Sequence, residues 1–309
     1  MMIVMTPCLT TIFVAIFYIT GIATFILTPF YLYAVIVKSR QQMSTYRTFM
    51  LVSFPFSALT TMIYVIMVPI YIDKTFHFRF YGIVAPKQEI FSAIVAACLN
   101  IIGNINTDLL LIFLINRYYV VSKYVVTPDQ VSYKFIYAYV GVTNGIECVS
   151  TTVLIARNML PLTIKEVVYS YESMMFVMTA FYQATRIGGF ITIVYLNLKL
   201  GVKYASAASS PAVVRLHKML TKTVIANVIS TLVLNRFPVL LVIVVSFSNN
   251  MELLNLFTNI MSCLSNSELL MDILITMYFV VPYRRFVVNL FVRKNTVVFV
   301  PSFVNTKLL

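Results

Sequence analysis

The chain has 309 residues, 60% of them hydrophobic and only 11% charged, with a mean hydropathy of +0.90. A water-soluble core of this size has no use for so much apolar side chain, so the surplus must face lipid. The formal charge of +13 does not point to nucleic acid, because the basic residues stand in short clusters between long apolar runs, as membrane topology places them.

The opening "MMIVMTPCLTTIFVAIF" lacks the basic start of a cleavable leader, and its apolar stretch runs past leader length, so it reads as a first spanning helix. Apolar stretches of membrane length predict seven spans, at 10–37, 48–72, 89–116, 135–156, 172–198, 223–247 and 253–281, with a tail at 282–309. An outward N-terminus leaves five Lys and Arg in outer loops and 16 in inner segments. The positive-inside rule therefore places the N-terminus outside and the C-terminus in the cytoplasm. The expected fold is an all-α seven-helix membrane bundle forming a single domain. Pro29, Pro55, Pro69 and Pro238 fall inside predicted spans, and Gly141 and Gly145 have small-xxx-small spacing in the fourth.

Charges inside a span are costly and need partners or water. In span 3, Asn100, Asn104, Thr107 and Asp108 share one helical face. Span 4 carries Glu147, and in span 5 Thr179, Gln183 and Arg186 form a shorter stripe. Span 6 holds Arg236 two residues before Pro238, where the proline frees a carbonyl and loosens the helix; an arginine there suits an anionic group. Span 7 repeats the pattern with Ser265, Glu268, Asp272 and Thr276. Glu268 and Asp272, one turn apart, repel each other, so one is protonated or Arg186 or Arg236 lies beside them. These faces line a common polar interior, which serves either as an ion-pair network orienting the helices or as a ligand or ion site.

No His-x4-Asp, Gly-x-Ser-x-Gly or His-Glu-x-x-His occurs, and His77 and His217 fall in predicted loops, so no catalytic residue is assigned. Cys8, Cys98, Cys148 and Cys263 have no metal-ligand spacing. No metal and no cofactor is expected.

At the end of span 3, "LLIFLINRYYVVSKY" passes from apolar residues into Asn116, Arg117, Tyr118 and Tyr119. Arg117 is nine residues from Asp108 and projects from the opposite face, so the two cannot pair within the helix. By itself this reads as an interfacial anchor with an aromatic belt. Arg-Tyr at the inner end of a third span resembles G-protein-coupled receptors, where Asp-Arg-Tyr occupies this place. "INRYYVV", the very short outer terminus and the "PYRRFVVNLF" tail resemble the nematode serpentine chemoreceptors, most nearly the class gamma superfamily that includes class V.

The resemblance implies a plasma-membrane receptor, in a sensory neuron by family likeness, that binds a small external chemical and activates a heterotrimeric G protein. It implies G-protein coupling through Asn116, Arg117 and Tyr118. A short amphipathic helix after Pro282 sets Phe286, Val287, Leu290 and Phe291 on one face, with Arg284, Arg285, Arg293 and Lys294 available to lipid headgroups. The expected ligand residues are Asn100, Asn104, Gln183, Arg186, Arg236 and Glu268, with Asp108, Glu147 and Asp272 in an internal polar network. A polar or anionic metabolite is the expected ligand class. The chain departs from the best-known receptors in four ways: Asn116 replaces the acid, span 2 has no Asp, span 7 has no Asn-Pro-x-x-Tyr, and the second outer loop has no cysteine. The rival reading is an ion- or proton-coupled transporter or channel using Asp108, Glu147, Glu268 and Asp272.

Overall fold

The computed structural model describes residues 7–39, 43–71, 78–85, 89–125, 133–156, 162–207, 211–248 and 250–291. Among these the backbone is almost entirely helical. In chain order the elements are α1 (Pro7–Val37), α2 (Ser44–Met67), strands β1 (Pro69–Tyr71) and β2 (Phe78–Phe80), α3 (Glu89–Val125), α4 (Tyr133–Ala156), α5 (Leu162–Ala207), α6 (Pro211–Thr231), a π turn (Leu232–Arg236), α7 (Phe237–Ser246), α8 (Met251–Phe279) and α9 (Val281–Phe291).

Among the described residues, five stretches are helical, long and apolar enough to cross a bilayer: Pro7–Val37, Tyr46–Met67, Ile94–Asn116, Lys218–Ser246 and Met251–Phe279. The chain is an all-α, multi-pass membrane protein. Helices α4 and α5 pack on α3 and on each other.

In α1, the buried residues Thr10, Phe13, Phe17, Gly21, Thr24, Tyr31 and Ala34 are spaced three, four or seven positions apart. That single stripe faces the bundle, while Ile12, Ile16, Ile19, Ile26 and Phe30 stay exposed, the apolar face a lipid tail would cover. Helix α8 is central, packing against α1, α2, α6 and α7. Its buried face is polar, with Asn255, Thr258, Asn259, Ser262, Asn266 and Glu268 among its members. The hydroxyls are satisfied locally: Thr258 Oγ1 donates to the Leu254 carbonyl at 2.7 Å and Ser262 Oγ to that of Thr258 at 2.9 Å. The amides reach outward, and Asn266 Nδ2 donates to the Phe17 carbonyl of α1 at 3.2 Å.

The second span is shorter than expected. Instead of continuing to residue 72, α2 stops at Met67, with Val68 left-handed at φ 44°. Pro69 explains the stop, since it has no N–H to offer and disfavours helical backbone at the residue before it. The chain then turns into β1, paired antiparallel with β2 so that Pro69 faces Phe80 and Tyr71 faces Phe78. After β2 it runs back along the end of α2, where Tyr81, Gly82 and Val84 donate to the carbonyls of Val68, Met67 and Ile66. Asn259 of α8 clasps the hairpin like a third strand: its Oδ1 accepts from Tyr71 N–H at 2.8 Å and its Nδ2 donates to Tyr71 O at 2.9 Å.

The approach at Gly82 leaves no room for a side chain. A Cβ there would sit 2.1 Å from the Ile66 carbonyl oxygen and 2.6 Å from the Met67 carbonyl carbon, both backbone atoms. Gly82→Ala should therefore cost about 1–3 kcal/mol. It should also speed amide exchange at Tyr81, Gly82 and Val84, read by mass spectrometry. Unchanged protection would show that the hairpin does not depend on this contact.

At the other end of the bundle, α9 turns back onto α1, in the stretch where the sequence predicts a short helix. The Tyr283 hydroxyl, fully buried, lies 2.5 Å from Ser39 Oγ. Burial raises the Tyr283 phenol above its ordinary value of 10, with the Ser39 bond and Arg47 pulling it partly back. It is therefore neutral at physiological pH. The Tyr33 and Phe286 rings lie 5.2 Å apart, with Lys38 Nζ 5.8 Å from one centroid and 6.0 Å from the other.

Helices α3, α5 and α6 extend beyond their apolar stretches. His217, expected in a loop, is on α6, and its side chain lies outside the described residues; so does all of His77. Arg117 is within α3, which continues to Val125, and its side chain too lies outside the described residues. Tyr118 beside it packs against the core, and Asn116 is half-buried. Arg293 and Lys294 fall in 292–309, also outside them.

Candidate functional site

The polar faces of α3, α4, α5 and the π turn meet in one buried cluster. Asp108, Glu147, Gln183, Arg186 and Arg236 are each at most 6% exposed. Burial to this degree is tolerable only where opposite charges and hydrogen bonds replace water.

Arg186 of α5 binds both acids. Its Nε lies 3.1 Å from Asp108 Oδ1 and its Nη2 3.2 Å from Asp108 Oδ2, so one edge of the guanidinium holds both carboxylate oxygens. Its Nη1 pairs with Glu147 of α4. The amide of Asn144, one turn before Glu147, donates to Asp108. Three helices are tied by this one cation.

Gln183 links that triad to the second arginine. Its Nε2 donates to Glu147, and its Oε1 accepts from Arg236 Nη1 at 2.9 Å. The same Nη1 donates to Asn104 Oδ1 of α3, also at 2.9 Å. One turn along α3, Asn104 Nδ2 lies 3.5 Å from Asn100 Oδ1. Arg236 is only 1% exposed, and its Nε and Nη2 have no hydrogen-bond partner among the described residues.

Local backbone structure sets the position of Arg236. Pro238 cannot donate, and its ring crowds the carbonyl four residues earlier. The helix relieves this by widening: Phe237 N–H donates to Leu232 O, five residues back, and Leu232–Arg236 form a π turn. The extra residue turns both Asn235 and Arg236 into the bundle, where each is at most 9% exposed. Asn235 Nδ2 then donates to Glu268 Oε2 at 3.0 Å.

Asp272 occupies a separate place. It lines a cavity of about 30 Å³ between α2, α3, α6 and α8, with Ser57, Asn106, Asn227 and Thr231, enough for one or two waters. Asp272 Oδ1 and Asn227 Oδ1 have no hydrogen-bond partner among the described residues, and no Lys or Arg is part of the lining.

The expected site residues thus divide into groups. Asn100, Asn104, Gln183 and Arg236 form one connected chain of hydrogen bonds. Of the two arginines offered as candidates to neutralise Glu268 and Asp272, Arg186 instead joins Asp108 and Glu147, while Arg236 lies within electrostatic reach of Glu268. Glu268 is met by the neutral amide of Asn235. The sequence reading missed Asn144, Asn235 and Asn227, although the signal was present. Asn144 is three residues from Glu147, and Asn227, Thr231 and Asn235 are spaced at i, i+4 and i+8.

Comparison with protein families finds no family model that matches the chain, and comparison with curated proteins finds no match.

Proposed function

We propose that this protein is a chemosensory G-protein-coupled receptor of the plasma membrane, with seven spans, an outward N-terminus and a cytoplasmic C-terminus. In this reading α4 and α5 complete the seven crossings. A small external chemical enters among α3, α5, α7 and α8, and shifts a two-state bundle toward G-protein engagement at Asn116, Arg117 and Tyr118. The likeness of "INRYYVV" and "PYRRFVVNLF" to nematode serpentine chemoreceptors supports it, as does the excess of basic residues in the segments assigned to the inside.

The observation that carries the reading is the buried cluster itself. Asn104, Glu147, Gln183 and Arg236 come from four different elements and are connected by side-chain hydrogen bonds. A ligand that engages any one of them acts on all four elements at once, which is the coupling a receptor needs.

The test is nucleotide exchange on a panel of heterotrimeric G proteins by surface-expressed protein, challenged with fractionated nematode metabolite extract. Wild type should respond, and Arg117→Ala, at equal surface expression, should lose the response. A response that survives in Arg117→Ala removes Arg117 from coupling. Proton-coupled uptake into vesicles without any exchange would replace the receptor by a transporter.

A further inference from the structure

Three of the unmatched polar atoms in the buried cluster are of one kind. Arg236 Nε, Arg236 Nη2 and Asn100 Nδ2 are all donors, all buried, and none has a partner among the described residues. Asn104 connects their owners, accepting from Arg236 and donating to Asn100. A set of unmatched donors is completed by an acceptor, and next to a guanidinium this favours a negatively charged one. Amines and metal cations are the wrong partners for such a set.

The guanidinium narrows the choice further. Nη1 is fully used, with one bond to Asn104 and one to Gln183. Nε and Nη2 remain, and their N–H groups lie parallel along one edge of the planar group, the fork that matches two oxygens on one carbon. The protein shows this pairing a short distance away: Arg186 holds Asp108 by the same edge, Nε to Oδ1 at 3.1 Å and Nη2 to Oδ2 at 3.2 Å. Arg236 has the fork without the carboxylate. Asp108 and Glu147 are bound by Arg186 and Glu268 receives the amide of Asn235; Asp108 and Glu268 act on Arg236 through space, but neither hydrogen-bonds to its Nε/Nη2 edge.

We propose that the unpaired Nε/Nη2 edge of Arg236 binds the carboxylate of a small organic acid, with the unmatched Asn100 amide, linked to Arg236 through Asn104, as a further donor in the same cluster. This rests on the receptor reading and names its ligand class. A carboxylate fits better than a phosphate dianion because a single cation with a single free fork faces it. Pro238 and the π turn hold that fork in place, so the acid is met by a prearranged partner.

The experiment uses the full chain in lipid nanodiscs. Thermal unfolding is followed with straight-chain monocarboxylates from acetate to decanoate, each beside its primary amide, and exchange on the G-protein panel is read in the same discs. At least one acid should raise the midpoint, with an apparent affinity about tenfold tighter than its amide's. Arg236→Lys, which keeps the charge but not the fork, should lose most of that preference, and Arg236→Met all of it. Should the methionine variant fail to fold, the lysine variant and the wild-type comparison of acid with amide still decide. Equal shifts from acids and amides, no shift with any acid, or a preference unchanged in Arg236→Lys would each overturn the site. Acid binding without exchange would keep the site and remove the receptor. Exchange evoked only by neutral compounds would keep the receptor and remove the site.

Discussion

Arg186→Met should destabilise the protein by about 3–5 kcal/mol, measured by SDS titration in mixed micelles. Methionine roughly preserves the bulk of the side chain, so packing is not the source of the loss. The source is Asp108 and Glu147, 3% and 1% exposed, which would be left in the bundle without their shared cation. The companion variant makes the claim specific. With Asp108→Asn and Glu147→Gln added, none of the triad's own charges is stranded, and most of the loss should be recovered, because uncharged side chains of similar volume commonly replace a buried ion triad at little cost. A triple variant as unstable as the single one would show that Arg186 acts through packing instead.

Asp272→Asn should have the opposite sign and raise stability by about 1–3 kcal/mol in the same titration. The carboxylate lines a cavity without a cation and one turn from Glu268. An amide removes the cost of burying an acid with no cation beside it and brings a permanent donor toward an acceptor such as Asn227 Oδ1, which has no partner among the described residues. Glu268→Gln is the control. Glu268 already accepts from Asn235, so losing its charge also weakens a bond, and its gain should be smaller. If Asp272→Asn destabilised the protein, Asp272 would be bound to something the bundle needs.

Much of this could be read from the sequence because one period governs both the lipid-facing and the bundle-facing surfaces. The stripe of α1, and the faces through Asn100, Asn104 and Asp108 or through Gln183 and Arg186, follow from 3.6 residues per turn alone. Which acid meets which arginine does not. That choice depends on the rotation and height of each helix, so Arg186 could be paired on paper with Glu268 and Asp272 yet lies against Asp108 and Glu147. The end of α2 was hidden for another reason: "VPIYI" is as apolar as the helix before it, and hydropathy does not distinguish a buried strand from a span. Asn235 was legible, at regular helical spacing from Asn227 and Thr231; what spacing did not show is the π turn, which brings Arg236 into the bundle alongside it.

The contacts between α1 and the end of the chain bear on how the protein is made. Asn266 of α8 donates to the Phe17 carbonyl of α1 across 249 residues, and Tyr283 of α9 meets Ser39 across 244. A ribosome releases α1 early and the helices that cover its polar groups late. Until then the face bearing Thr20, Thr24 and Phe17 must wait in the bilayer, with its threonine hydroxyls turned back onto its own carbonyls. Helix α1 is inserted before the helices that complete it, so the nascent bundle stays open along that seam until α8 and α9 arrive.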